Sequence, residues 1–203
     1  GVPIAGGRAP AKLNGALVAR GDVAEFEITP DSRSVLYAAD QETDGQRELF
    51  LSAIEGGSAP TRLDHPLPNQ SGIGDFRTSA DGARVVYSSE GSRSASLLST
   101  SLRNPGGAIL LASELHPNRS HDVHVSADGR VLYRNDGLFS VPLDGSSGPR
   151  QLDDGGRIES GILVAPDGTA LYQTDRDREG VFELFGVPSD GSRAPVELSP
   201  DLD

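Results

Sequence analysis

Two acidic stretches carry the residues best suited to chemistry. After Tyr37 the chain reads Asp40-Gln41-Glu42-Thr43-Asp44-Gly45-Gln46-Arg47-Glu48, and after Tyr172 it reads Asp175-Arg176-Asp177-Arg178-Glu179-Gly180-Val181-Phe182-Glu183. Both fit D-x-[DE]-x-[DE]-G-x-x-E. Carboxylates at alternate positions, a Gly for the sharp turn and a further carboxylate suit a hard cation that takes oxygen ligands. Asp40, Glu42, Asp44, Glu48, Asp175, Asp177, Glu179 and Glu183 are therefore candidate Ca²⁺ ligands. The competing reading is a solvated hairpin tip whose charges blunt a sheet edge. Glu42 and Glu179 stand where a calcium loop carries the shorter Asp, which alters the loop geometry.

The four histidines are His65, His116, His121 and His124. A histidine cluster is a candidate zinc site, but positions three apart on a strand point to opposite faces, so structural roles are expected. Nucleophilic catalysis finds little support. The chain has no Cys, no Gly-x-Ser-x-Gly elbow and no recognisable Ser-His-Asp set, and no Gly-rich phosphate loop precedes a helix. No catalytic residue is assigned, and the chain reads as a non-enzyme.

These groups are positioned by a repeat. All four tyrosines, Tyr37, Tyr87, Tyr133 and Tyr172, follow a turn: Pro30-Asp31-Ser32, Ala80-Asp81-Gly82, Ala127-Asp128-Gly129 and Pro166-Asp167-Gly168. The tyrosines are spaced by 50, 46 and 39 residues, a period typical of propeller repeats. Ahead of each turn a short strand is expected, at 25–29, 75–79, 122–126 and 161–165. The Asp-Gly pair then makes a tight hairpin. A second strand ends on the Tyr, a third follows a variable loop (48–51, 96–99, 138–141, 183–186), and a Gly-rich turn leads to a fourth ending near Leu63, Leu111, Leu152 or Leu198. Four antiparallel strands per unit make a propeller blade. The tyrosines read as core, and so do Phe26 and Phe76 with Val123 and Ile162 as their equivalents.

The leading residues, from Val2-Pro3-Ile4 to Leu13, parallel Val187-Pro188 to Leu198 and so read as the closing half of another blade. The expected organisation is all-β: a half-blade at 1–20 and blades at 21–70, 71–117, 118–156 and 157–203, either an arc of a larger ring or a piece whose missing strands something else supplies. Composition agrees, with 25 Gly and 14 Pro among 203 residues to supply the turns. A net charge of −12 argues against nucleic acid, and no stretch approaches the apolar length of a membrane span. An N-terminal Gly and the lack of any Met suggest a processed or excised piece of a longer protein. Asn69-Gln70-Ser71 and Asn118-Arg119-Ser120 match the glycosylation triplet, a pattern that chance often supplies.

The combined pattern of Pro-Asp-Gly turn, Val-Leu-Tyr strand, Glu-Leu-Phe strand and Val-Pro-x-Asp-Gly turn, clearest over 21–63 and 157–198, resembles the TolB-like propeller repeats related to WD-repeat propellers. The acidic stretches resemble the calcium loops of integrin-type propeller blades. The TolB-like resemblance implies a protein-interaction or scaffold module, periplasmic or extracellular, with a protein partner. It also admits a gating propeller beside a hydrolase or peptidase domain, or a structural repeat of a surface protein. The candidate binding face comprises the blade-to-blade connections at His65 and His116 and the inner-strand positions Glu27, Arg77 and His124, which are equivalent in the repeat and differ in charge.

Overall fold

Hydrophobic pairs that end on Tyr, each following an Asp-Gly or Asp-Ser turn, fold here into sheets that stack face to face. The structure, a computed structural model, describes residues 10–64, 72–117, 121–159 and 161–199. The described strands form four four-stranded antiparallel sheets, each in simple chain order. The first blade holds β1 (Val23–Ile28), β2 (Ser34–Thr43), β3 (Gln46–Ala53) and β4 (Thr61–Arg62). The second holds β5 (Gly72–Thr78), β6 (Arg84–Glu90), β7 (Ala95–Ser101) and β8 (Ile109–Leu115). The third holds β9 (His124–Val125), β10 (Arg130–Arg134), β11 (Leu138–Pro142) and β12 (Arg150–Asp153). The fourth holds β13 (Leu163–Val164), β14 (Thr169–Thr174), β15 (Glu183–Pro188) and β16 (Val196–Glu197). First strands touch one another from blade to blade (β5 to β9, β9 to β13) and so form the inner edge of the arc.

The turns between first and second strands share one chemistry. Asp31 Oδ1 accepts from Thr29 Oγ1 at 2.7 Å and from Arg33 N at 3.0 Å. Asp81 Oδ1 accepts likewise from Ser79 Oγ at 2.6 Å and Ala83 N at 3.0 Å. These bonds hold both carboxyls below the ordinary aspartate range, the side-chain hydroxyl contributing most and the backbone amide next. The residue after the Asp is left-handed in all four turns: Gly82 has φ 63°, Gly129 φ 76°, Gly168 φ 85° and, in the first blade, Ser32 φ 58°. A Cβ there crowds its own backbone, so Ser32 stores strain that the glycines avoid.

Alternation along each strand sends neighbouring side chains to opposite faces, and the blades stack through those faces. We call the face toward the preceding blade leading and the other trailing. The trailing residues Leu36, Ala38, Leu49 and Leu63 of the first blade pack on the leading residues Phe76, Val85 and Tyr87 of the second. Val86, Leu97 and Leu111 meet Val123, Val131 and Tyr133 at the next junction. Leu132, Leu138 and Leu152 meet Ile162, Ala170 and Tyr172 at the third. All four tyrosines are buried, and Tyr37 stacks on Phe50 and Tyr133 on Phe139 with centroids 5.5 Å apart. Burial pushes the Tyr133 hydroxyl up to about 12.

One core assignment is corrected. Phe76, Val123 and Ile162 are buried, but Phe26 is 71% exposed. Its partner Tyr37 is covered by Leu13 and Leu17, which pack on Val35, Tyr37, Ala39 and Phe50. Leu13 precedes Tyr37 by the interval that separates Leu63 from Tyr87, so it stands where the fourth strand of a preceding blade would lie. That segment covers the outer part of the leading face and leaves Phe26 and Ile28 open at the inner edge. Residues 1–9 lie outside the described residues. At the other end, Leu163, Leu184, Val196 and Leu198 on the trailing face of the fourth blade are exposed.

Candidate functional site

Because adjacent strands are antiparallel, the connections between second and third strands and those between blades leave one rim, while the Asp-Gly turns leave the other. The first rim gathers both acidic stretches and the described histidines. It carries a cleft of about 690 Å³ between the third and fourth blades. His116, His121, Arg134, Asp136, Arg157 and Glu159 supply its charge.

The tight β10–β11 turn makes this cleft. Asp136 has φ 51° and Gly137 φ 150°, and a Cβ on Gly137 would lie 2.7 Å from the Asp153 carbonyl oxygen. Glycine is therefore required there, and the turn presses against the next connection. Asn135 Oδ1 accepts from His116 N at 3.0 Å, and the His116 ring is paired with Asp136. Arg134 donates through Nη1 to the Ile158 carbonyl at 2.9 Å, bridging to the fourth blade. Arg157 stacks over the Phe182 ring at 4.9 Å and lies 3.5 Å from Glu159 Oε1. The result is a polar cleft with cations and anions on its walls, suited to recognition of a charged surface or peptide rather than an apolar ligand.

Carboxylates also staple successive blades at the inner edge. Asp75 Oδ2 accepts from His121 N at 3.0 Å, and Asp122 Oδ2 accepts from Gly161 N at 2.7 Å and Ile162 N at 3.0 Å. Burial would raise the Asp122 carboxyl, but bonds from His124, Ile162 and Gly161 outweigh it and hold the group well below the usual carboxylate range. Asp75 and Asp122 immediately precede the equivalent residues Phe76 and Val123. That shared position was the available signal for a role the sequence reading missed.

The inner-strand positions Glu27, Arg77 and His124 are half-buried and engaged with protein. Glu27 Oε1 accepts from Thr78 N at 3.3 Å and from the Thr78 hydroxyl. Arg77 Nη1 donates to Phe76 O at 2.6 Å and to Glu25 Oε1 at 3.3 Å, and His124 Nε2 lies 3.1 Å from Asp122 Oδ1. Two of the three thus tie adjacent blades, and the fourth equivalent, Leu163, is 63% exposed. His116 lines the cleft; His65 and both Asn-x-Ser triplets lie outside the described residues.

The acidic stretches differ from each other. In the first, β2 and β3 continue to the Thr43–Gln46 pair around an Asp44-Gly45 turn. Glu48, fully buried, folds beneath it: Oε2 accepts from Gln41 N at 2.9 Å and Glu42 N at 3.3 Å, and Oε1 from Thr43 N at 3.1 Å. Asp40 Oδ2 accepts from Gly45 N at 3.0 Å, Glu42 pairs with Arg62, and Asp44 pairs with Arg20 at 2.8 Å. In the second stretch Asp175 accepts from Arg157 N at 2.5 Å and Gly180 N at 3.1 Å, bonds that lower its carboxyl in that order. Asp177 lies 3.8 Å from Arg176 Nε, Glu179 is exposed and Glu183 is buried. Among the described residues no three His, Asp or Glu side chains come together in a way that could hold a metal ion. Asp40, Glu48 and Asp175 accept from backbone amides, while Glu42, Asp44 and Asp177 lie beside arginines.

No family model and no characterised protein sequence matches this chain. Solved structures do match in fold. A TolB protein from Agrobacterium tumefaciens matches with a TM-score of 0.62 at 18% identity, over 97% of this chain and 71% of that one. Porphyromonas gingivalis dipeptidyl peptidase 4 matches with a TM-score of 0.67 at 10% identity, over 87% of this chain and 30% of that one. A puromycin-hydrolyzing peptidase of Mycobacterium tuberculosis gives 0.62 at 12% identity, over 91% of this chain and 32% of that one. The chain thus spans about a third of either peptidase.

Proposed function

We propose that this propeller, resembling those of TolB and of peptidases in fold, is a non-catalytic protein-recognition module of an extracytoplasmic protein. The carrying observation is the asymmetry of its two rims. One rim carries the Asp turns, whose acids are spent on their own backbone; the other brings the blade-to-blade connections and the tight β10–β11 turn together around a charged cleft. Propeller recognition surfaces are assembled from equivalent loops of successive blades. The charged walls of the cleft suit a protein partner with a mixed-charge surface.

A photo-crosslinking residue tests this assignment. Placed at Arg157, on the cleft rim, it should yield a discrete crosslinked protein in extracts of the source cell. Placed at Asp190, on the opposite rim, it should not. Equal labelling from both positions, or none from Arg157, would overturn the reading. The likeness to two peptidases favours one second reading, a propeller that gates an attached hydrolase domain. A crosslink from Arg157 to a hydrolase domain, in place of a separate protein, would select it.

A further inference from the structure

We propose that the junction between the second and third blades is closed by a proton held between His121 and Glu90, which makes one wall of the cleft responsive to pH. His121 is 1% exposed, and its Nδ1 lies 3.2 Å from the Arg134 carbonyl oxygen. A carbonyl only accepts, so Nδ1 carries the hydrogen. A neutral ring then presents a lone pair at Nε2. That atom is buried and has no hydrogen-bond donor among the described residues. It faces Glu90 Oε1 at 3.6 Å, and Glu90 Oε2 is likewise buried without a partner. Two acceptors thus confront each other, the ring buried and the Glu90 side chain 22% exposed. Unpaired buried polar atoms are rare in folded proteins, and here one proton gives the buried Nε2 a partner in the Glu90 carboxylate.

With a solvent proton on Nε2, the imidazolium donates to the Glu90 carboxylate, and the 3.6 Å separation can close to the ~2.8 Å of a charge-assisted hydrogen bond. The surrounding charges decide whether the cation is tolerated. From β5, the Asp75 carboxylate accepts the His121 amide at 3.0 Å and favours it. From β10, the Arg134 guanidinium opposes it. Across the cleft the Arg157–Glu159 pair is balanced, and the Asp136 carboxylate is paired with the His116 ring. Two carboxylates against one guanidinium favour the protonated ring. Glu90 ends the second strand of the second blade, and His121 sits in the connection that lines the cleft, so closing the bond draws that connection onto the second blade. The latch stands independently of what the cleft binds; only its consequence for a partner rests on the recognition reading.

The latch is closed while the ring carries its second proton and the carboxylate is ionised, and it opens as pH rises and that proton is lost. Glu90→Gln separates the states. The amide can donate to a neutral Nε2, so it supplies the missing hydrogen without charge. The variant should melt about 2–4 °C below wild type near pH 5.5 and level with it or above it near pH 8. A difference that stays constant across that range overturns the latch. Ring ¹⁵N spectra of the wild type give a second readout near pH 6, with His121 assigned by His121→Gln. An imidazolium pattern for His121 supports the proposal, and a neutral Nδ1–H ring overturns it. Neither result touches the crosslinking test, so the two proposals fail separately.

Discussion

Phe26 and Phe76 occupy the same place in adjacent blades, and the arc predicts opposite consequences for removing them. Phe76 is fully buried among Leu36, Ala38, Leu49 and Leu63, side chains of the preceding blade. Phe76→Ala removes the ring from a packed junction, a change that costs about 3–5 kcal/mol. Phe26 keeps 71% of its surface in water, so Phe26→Ala forfeits little packing and should stay within about 0.5 kcal/mol of wild type. At about 2–4 °C per kcal/mol for a chain of this size, Phe76→Ala should lower Tm by about 6–20 °C and Phe26→Ala by no more than about 2 °C. Calorimetry on both variants, repeated at several protein concentrations, checks this. A Phe26→Ala loss as large as that of Phe76→Ala, in dilute solution, would refute the open leading edge. A harmless Phe76→Ala would refute blade stacking itself.

Three further outcomes are expected. Ser32→Gly should stabilise the fold by about 1 kcal/mol, since glycine adopts φ 58° without a Cβ clash; an unchanged or lower urea midpoint would contradict the strain argument. Asp122→Asn should cost about 1–2 kcal/mol at neutral pH, a modest figure because its side chain is 19% exposed. The folded carboxyl titrates below its unfolded value, so its stabilisation is full above about pH 4 and lost on acidification. The variant's stability should fall less steeply than wild type as pH drops, and parallel acid profiles would count against the staple. Millimolar Ca²⁺ should leave the melting temperature unchanged, because Glu48 and Asp40 already accept from the loop amides; a calcium-dependent rise would show that these carboxylates turn outward to a cation.

Much of the fold was legible because the repeat states it redundantly. Each Tyr sits in the same frame after the same turn, and the sheet order follows from four short strands with tight connections. Phe26 was misread because alternation tells which face a side chain takes, not whether anything covers that face. The acidic spacing D-x-[DE]-x-[DE]-G-x-x-E was visible, but spacing cannot distinguish a carboxylate turned out toward an ion from one folded under its own amides, as Glu48 is. The cleft was illegible for another reason. Its residues come from three connections, around His116, Asp136 and Arg157, that share no motif and meet only once the third and fourth blades stack.

The inner strands shorten along the arc, from six and seven residues in β1 and β5 to two each in β9 and β13. Fewer ladder bonds fasten the inner edge of the third and fourth blades, and in a stack of repeats each unit leans only on its neighbours. Opening should therefore begin at the fourth blade, whose trailing face has no cover among the described residues, and travel toward the second. Amide hydrogens of β14 and β15 would exchange with solvent faster than those of β6 and β7. The cleft, set between the two loosest blades, would then sit in the part of the molecule that yields most readily to an incoming surface.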